Sequence, residues 1–282
     1  MYENYHEGLR TDGRAKDGGR TKRKADGEDD GWRLLDIQPV KCYNRRGKSS
    51  DTQLGKNNQR IDFNMNNQMQ IFLIRHGESV LNAGENYIKR IPDHLVPMTE
   101  EGHEQARRAG AWLAEYCKEQ QIDLGRARIW TSPHLRSRQT AEEFNRSLNI
   151  SDVREDITLV EQQYGLFDSV EKSRWGELYP VEFAEYQRQV NNAGKFYARL
   201  PLGESPFDVA VRIHQFMGTI HRDRDYEGVN TVFVFTHGAT LRCFLLRWFH
   251  YSPEWYQAEH NPRNCWIREI RGREDMGYIY RT

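Results

Sequence analysis

Residues 71–79, which read IFLIRHGES, decide the fold predicted for this chain. A continuous apolar run is typical of a central strand that is buried on both faces. Residues 232–238, which read VFVFTHG, repeat the pattern, so each run ends just before a histidine, His76 or His237. Ligands of open α/β sheets bind beyond the carboxyl ends of the strands, which predicts one pocket for both histidines. Arg75 beside the first histidine favours a phosphate ligand, because a planar guanidinium group binds phosphate bidentately.

Strand-like and helix-like segments alternate from Gln70 onwards. Strands are predicted at residues 71–74, 128–131, 232–235, 265–270 and 278–280, with a short extended piece at 158–160 that leads into Glu161. Helices are predicted after Thr99, over about residues 135–148, from Ser205-Pro206 and over about residues 239–249. This alternation predicts a three-layer α/β/α fold with a mostly parallel central sheet. It also brings Arg75-His76, Thr131, Glu161 and His237 to the carboxyl ends of strand-like pieces.

The first quarter of the chain differs in composition from the rest. Residues 1–68 are rich in Gly, Asp, Lys and Asn and lack a sustained period, which predicts a disordered N-terminal extension. Residues 69–282 are predicted to form the folded domain. The basic run from Arg20 to Lys24 is interpreted as solvated charge, with a nuclear localisation or anion-binding segment as the alternative. Met65 and Met69, just ahead of the first strand, leave open whether residues 1–64 belong to the mature protein.

The overall composition excludes several classes of protein. The 282 residues carry a formal net charge of +0, which argues against a nucleic-acid partner because no strong positive field is present. No apolar run approaches the roughly 18 residues that span a bilayer, and the N-terminus lacks the apolar core of a secretory signal. The four cysteines are widely spaced and are predicted to be reduced thiols of a cytoplasmic protein. The oligomeric state stays open between a monomer and a homodimer.

The order of the polar motifs resembles that of the histidine phosphatase superfamily, in its phosphoglycerate mutase-like branch. The resemblance covers about residues 70–270. Its motifs are RHGES at 75–79, MTEEG at 98–102, TSPHLR at 131–136, EQQYG at 161–165, GES at 203–205 and THG at 236–238. The Pro92-Asp93-His94 step further resembles a plant and fungal subgroup of phosphoglycerate mutase-like phosphatases. The resemblance implies the phosphoglycerate mutase-like fold and a small phosphorylated substrate.

The resemblance also implies the catalytic groups. His76 is expected to attack phosphorus and form a phosphohistidine, with its other ring nitrogen held by a backbone carbonyl. Arg75 and Arg136 are expected to clamp the phosphoryl oxygens, since catalysis of phosphoryl transfer is mostly positioning and charge stabilisation. His237 is expected to donate to the same oxygens. Glu161 is expected to protonate the departing alkoxide, a role that a carboxyl group with a raised pKa can fill.

Four further residues are predicted to serve the substrate site. Asn82 resembles a phosphate or substrate contact of the family. Gly238 and Gly77 lack a β-carbon and are expected to let substrate and backbone come close. Glu204 is either an alternative acid near the pocket or a residue that complements the N-terminus of the following helix. Arg138 is expected to point away from Arg136.

No metal ion or cofactor is predicted. His94 and His103 are too loosely spaced for a ligand set, and the arginines already neutralise a phosphate group. Hydrolysis is favoured over mutase activity because Leu81 precedes Asn82 where classical mutases carry Trp-Asn. A mutase-type phosphotransferase and a non-catalytic phospho-ligand-binding protein remain as alternatives. The aromatic side chains in residues 166–202 are interpreted as helix packing, with a lid over the pocket as the alternative.

Overall fold

The computed structural model describes residues 68–84, 91–168 and 170–282. Its helices are α1 Glu100–Glu119, α2 Leu135–Leu148, α3 Trp175–Leu178, α4 Pro180–Ala193, α5 Pro206–Glu227, α6 Gly238–Phe249 and α7 Pro253–Ala258. Its strands are β1 Gln70–Arg75, β2 Ala127–Thr131, β3 Val153–Glu155, β4 Thr231–Thr236, β5 Ile267–Arg271 and β6 Glu274–Tyr280. Residues 1–67, which hold nearly all of the predicted N-terminal extension and the basic run, lie outside the described residues.

The six strands form one mixed sheet in the order β3-β2-β4-β1-β5-β6. The strands β1 to β4 run parallel, whereas β5 and β6 add to the β1 edge in antiparallel fashion. Arg75 is in register with Thr236, and Thr131 is in register with Phe235. The carboxyl ends of the three central strands β2, β4 and β1 are therefore flush. The residues that follow these strands must meet at one edge of the sheet.

Helices cover both faces of the sheet, which confirms the predicted three-layer fold. Ile71 and Leu73 pack on one face against apolar residues of α5 and α6. Phe72 and Ile74 pack on the other face against α1 and α2. Successive side chains of a strand point to opposite faces, so a strand between two helix layers is apolar at every position. The uninterrupted run of β1 follows directly from this burial.

The predicted helix starts are confirmed. Thr99 Oγ1 accepts a hydrogen bond from Gly102 N at 3.0 Å and caps α1. Ser205 and Asp208 form a capping box at the start of α5, and Pro206 occupies its first position. Both caps satisfy backbone N–H groups that lack a partner within the helix. No helix among the described residues is long and apolar enough to cross a lipid bilayer.

The extended piece predicted at residues 158–160 is wrong. Ile157–Leu159 forms a 3₁₀ turn instead. Asp156 Oδ1 accepts from Thr158 N at 2.8 Å and from Thr158 Oγ1 at 2.6 Å, which closes the turn. Asp is favoured at such positions because its short side chain bonds to backbone two residues on. The turn leads into Glu161 all the same, and Thr236 Oγ1 anchors it by donating to Leu159 O at 2.8 Å.

The aromatic residues before and within α3 and α4 pack against one another. Phe167 stacks on Trp175 with ring centroids 4.3 Å apart, and both are buried. Phe183 and Tyr186 of α4 meet the same pair edge-on. These contacts confirm the interpretation as helix packing. A separate small apolar cluster therefore supports the chain segment that follows Glu161.

Candidate active site

A cavity of about 490 Å³ opens at the carboxyl edge of the sheet. Its lining brings together Arg75, His76, Asn82, Arg136 and Glu161, which come from three of the sequence motifs. The first two motifs follow the carboxyl ends of β1 and β2, whereas Glu161 follows the 3₁₀ turn Ile157–Leu159. The volume suits a small ligand.

His76 is buried at the floor of the cavity with one ring nitrogen engaged. Its Nδ1 lies 2.7 Å from Gly77 O. A carbonyl oxygen only accepts, so Nδ1 carries the proton and Nε2 keeps its lone pair. The expected backbone carbonyl partner is therefore present. Burial, with the Arg136 and Arg75 guanidinium groups, holds the pKa of His76 well below its usual value and keeps the ring neutral.

Gly77 serves a packing purpose that differs from the expected one. A β-carbon there would lie 2.6 Å from Gly102 O and 2.7 Å from Met98 Sδ. Gly102 is equally tight, since its β-carbon would lie 2.0 Å from Glu78 O. The two glycines let the loop after β1 pack against the start of α1. The close approach at Gly77 is thus to helix α1.

Both arginines of the predicted clamp line the cavity. Arg75 Nη1 donates to Pro262 O at 2.6 Å, which orients its guanidinium group. Arg136, in the first turn of α2, reaches Asp93 instead: Nη1 lies 3.0 Å from Oδ1 and Nη2 lies 3.3 Å from Oδ2. Nη1 also donates to Asp93 O at 2.8 Å. Arg138 turns outward to Glu155, 3.8 Å away, and does not line the cavity.

His237, the predicted second donor, is fully buried and is not among the residues that line the cavity. Its ring centroid is 5.1 Å from that of His76 and 4.9 Å from that of His134. Nε2 lies 2.9 Å from Ser132 Oγ, whereas Nδ1 has no hydrogen-bond partner among the described residues. Burial and the nearby Arg136 hold the pKa of His237 well below its usual value. Burial and Arg136 likewise lower the pKa of His134 to about 4.

We expect the imidazoles of His76 and His237 to stay neutral at pH 6. A histidine whose pKa is lowered in the folded protein takes up its proton only below that value, whereas a free histidine titrates near about 6.5. Histidine ring NMR shifts, followed from pH 8 to pH 6, should be constant for both residues. The urea-unfolded protein provides the control, in which all ring signals move. A folded-state midpoint near 6.5 for His76 would contradict the electrostatic picture.

Glu161 is held against the N-terminus of α6. Its carboxyl oxygens accept from Ala239 N and Thr240 N, both at 3.3 Å, and from Thr240 Oγ1 at 3.2 Å. Gln162 N adds a further bond at 2.9 Å. These donors at the start of α6 fix the position and orientation of the Glu161 carboxyl group. The helix that follows His237 thus positions the carboxyl group in the same cavity as His76.

The other predicted substrate residues occupy different places. Asn82 lines the cavity, and its Oδ1 accepts from Ser79 N at 3.2 Å and from Asn264 Nδ2 at 3.1 Å. Glu204 does not line the cavity, because its carboxylate is engaged by Arg212 at 2.9 Å and 3.1 Å. It does not cap α5 either, since Ser205 has that role. Instead, it accepts from Gln163 N at 3.0 Å and supports the cavity wall.

Gly238 also lies outside the cavity lining. A β-carbon at Gly238 would lie 2.2 Å from Asn261 Oδ1, so its close neighbour is a side chain of the loop before β5. The need for glycine here comes from that loop. No group of three or more His, Cys, Asp or Glu side chains arranged to hold a metal ion occurs among the described residues.

Sequence similarity to known proteins identifies the family of this chain. The sequence pattern that defines the histidine phosphatase superfamily (branch 1) matches residues 71–281. The chain belongs to this superfamily. The matched residues include every motif on which the resemblance was based, so the predicted family is confirmed.

The relatives of this chain include a plant protein and a fungal protein. Phosphoglycerate mutase-like protein AT74 of Arabidopsis thaliana is 32% identical over 210 residues, which are 71% of this chain and 63% of that protein. The chain thus spans less than two thirds of the length of AT74. The broad-range acid phosphatase DET1 of Saccharomyces cerevisiae is 26% identical over 294 residues, covering 75% of this chain and 88% of its own.

Solved structures of superfamily members share the fold. A mycobacterial glucosyl-3-phosphoglycerate phosphatase superposes with a TM-score of 0.56 at 18% identity, covering 72% of this chain and 89% of that one. A putative α-ribazole-5′-P phosphatase from Escherichia coli superposes with a TM-score of 0.57 at 20% identity, covering 77% and 97%. At these identities the likeness concerns the fold.

Several residues that line the cavity were not predicted as functional. Asp93, His134, Gln163, Tyr164 and Asp168 all line the cavity. Four of them, Asp93, His134, Gln163 and Tyr164, lie within the sequence motifs quoted above. The family resemblance did not assign a catalytic role to any of the four. Asp168 follows the EQQYG motif by three residues. The sequence did not indicate these residues, because only the folded chain brings their side chains to the cavity.

Proposed function

We propose that this histidine phosphatase family member hydrolyses phosphomonoesters of small metabolites through a phosphohistidine at His76. The observation that carries the proposal is the fixed tautomer of His76. Its Nδ1 is committed to Gly77 O, which leaves the Nε2 lone pair available for phosphorus. Arg75 and Arg136 line the same cavity and supply the positive charge that three phosphoryl oxygens require.

In the first step, Nε2 of His76 attacks phosphorus. An N–P bond forms, the P–O bond to the alcohol breaks, and the alcohol oxygen takes a proton through Glu161. That proton enters with a singly protonated phosphate ester. A phosphate monoester loses its second proton near about pH 6, so this form is abundant in mild acid. The ring of His237 lies 5.1 Å from that of His76, and its Nδ1, which has no partner among the described residues, donates to the developing charge.

In the second step, water attacks the phosphohistidine. The Glu161 carboxylate takes a proton from the water as its oxygen bonds to phosphorus, and the N–P bond breaks. His76 returns to its neutral form with Nδ1 still bonded to Gly77 O. The proton on Glu161 leaves with the phosphate product. One carboxyl group thus acts in both steps, first as an acid and then as a base.

The charges around the cavity favour hydrolysis over a mutase reaction. A phosphoglycerate mutase must hold a substrate carboxylate as well as a phosphoryl group. Among the described residues, Arg75 and Arg136 are the arginines that line the cavity, no lysine does, and both are needed for the phosphoryl oxygens. Leu81 precedes Asn82 at the cavity wall, where it offers no polar contact. Water is therefore the better acceptor for the phosphoryl group.

Rapid quenching during turnover of p-nitrophenyl phosphate tests the proposal. We expect a phosphoryl label on His76 that survives alkali and is lost in acid. With 3-phosphoglycerate as substrate, released phosphate should exceed isomerised product. Isomerisation in excess of hydrolysis would favour the mutase. Binding of phosphate without label or turnover would favour the non-catalytic phospho-ligand-binding protein.

We expect Glu161→Gln to slow hydrolysis of an alkyl phosphate by about 10²-fold or more, the usual contribution of a general acid or base. The loss should be smaller for p-nitrophenyl phosphate in phosphoenzyme formation, because nitrophenolate departs without a proton. Single-turnover rates of label formation on the two substrates measure the difference. Equal losses on both would remove the acid role from Glu161. The amide keeps the size of the side chain and one acceptor oxygen for α6.

A further inference from the structure

We propose that the substrate's alcohol portion carries no negative charge, and that Asp93 is the residue that enforces this selection. The inference rests on the proposed phosphatase activity and adds the substrate class and a specificity-determining residue. The turn that carries Asp93, Asp93–Leu95, covers the start of α2 and forms one wall of the cavity.

The cavity has a buried end and an open end. His76 and Arg136 are only 4% and 3% exposed, so the phosphoryl group must sit deep to reach both. The Asp93 side chain is 32% exposed, and His94, Gln163 and Asp168 are still more open to solvent. The alcohol portion of a phosphoryl group held at the buried end must extend toward this open side.

Arg136, one of the two proposed clamp residues, holds Asp93 beside the expected position of the phosphoryl group. Its two carboxylate oxygens accept from the two terminal nitrogens of Arg136, at 3.0 Å and 3.3 Å. Its backbone oxygen accepts from the same guanidinium group at 2.8 Å. The substrate phosphate and the Asp93 carboxylate therefore share one arginine. An anionic group on the alcohol portion would lie close to Asp93 without an arginine of its own.

Among the described residues, the remaining lining offers no compensating arginine or lysine. Its other acidic residue is Asp168, His94 is a histidine at the open side, and Asn82, Gln162, Gln163 and Tyr164 contribute amide and hydroxyl groups. His134 also lines the cavity, 3.4 Å from Asp93, and it is neutral above about pH 4. Amides and hydroxyls bind alcohols and amines, whereas carboxylates repel anions. The lining thus accepts an uncharged or cationic alcohol portion.

Glycerol 3-phosphate and 3-phosphoglycerate are the substrates for the test, because they differ by a hydroxymethyl group in place of a carboxylate. We expect kcat/KM to favour glycerol 3-phosphate by about tenfold, the effect of one unfavourable charge at cavity range. Asp93→Asn should lower that preference by about fivefold. If neither compound turns over, their inhibition constants against p-nitrophenyl phosphate give the same ratio.

Two controls separate the selection from other effects. Asp93→Asn also removes the ion pair with Arg136. That release should change the inhibition constant of inorganic phosphate, and it should change kcat/KM for both substrates by the same factor. It therefore does not contribute to the expected change in their ratio. Glu171→Gln removes an exposed carboxylate outside the cavity lining and should leave the preference unchanged. A wild-type preference for 3-phosphoglycerate, or an Asp93→Asn ratio equal to wild type, would overturn the inference. Absence of turnover and label with p-nitrophenyl phosphate would instead defeat the phosphatase proposal.

Discussion

The His76→Ala protein is expected to fold and to lose phosphatase activity by at least about 10⁴-fold, as enzymes do when their nucleophile is removed. The loss should fall on kcat, because the phosphoenzyme cannot form. Arg75 and Arg136 remain, so inorganic phosphate should still bind and inhibit. Steady-state kinetics, label incorporation and phosphate binding measure the three effects separately.

A matched control for His76 is His221→Ala. The His221 ring stacks on Trp248 at 5.5 Å, and His221 does not line the cavity. We expect full label incorporation and near wild-type turnover from that variant. An active His76→Ala protein that still forms an acid-labile label would move the nucleophile to another residue. The proposed mechanism would then fail, whatever the substrate.

Gly165→Ala is expected to destabilise the fold by about 3 kcal/mol or more, since overpacking and a left-handed backbone each cost about 1 to 3 kcal/mol. Gly165 has φ of 58°, and its β-carbon would lie 2.1 Å from Pro201 O and 2.6 Å from Gly203 N. These are backbone atoms, which cannot turn aside as a side chain can. Urea unfolding at constant pH measures the free energy of unfolding.

Gly228→Ala is the matched control for Gly165→Ala. Gly228 has φ of 72° and ψ of 21°, and no atom lies within 4 Å of its added β-carbon. It therefore carries only the cost of a left-handed backbone, about 1 to 2 kcal/mol. The difference between the two variants isolates the clash with residues 201–203. Activity should fall with Gly165→Ala as well, because this contact holds the Gln163 and Tyr164 wall of the cavity. Equal destabilisation by both would contradict the packing argument.

The sequence alone was sufficient for the architecture and for part of the candidate site. An apolar run such as that of β1 is compatible with few environments, and parallel strands end at one edge. These two constraints bring Arg75, His76 and His237 to the same edge of the sheet without any knowledge of side-chain positions. The bounds predicted for α2 agree with the structure for the same reason, since its apolar period and its flanking turn residues are local.

Features that depend on competition between distant groups were not predictable in this way. The turn at Ile157–Leu159 forms because Asp156 offers its backbone a local partner that the apolar pattern does not register. Glu204 does not line the cavity, because Arg212, eight residues further along the chain, binds its carboxylate. Glycine is required at position 77 because helix α1, which is distant in sequence, packs closely against it. In each case, two arrangements fit the sequence pattern, and packing selected one.

The contact between Asp93 and Arg136 shows the same division most clearly. Residue types and strand ends by themselves predicted that the two arginines of the proposed clamp and His76 share one pocket. Only the tertiary structure decided that a carboxylate shares the clamp and that the open side carries no further arginine or lysine among the described residues. Charge interactions depend on distances of a few ångströms between segments far apart in sequence, and sequence periodicity does not contain those distances.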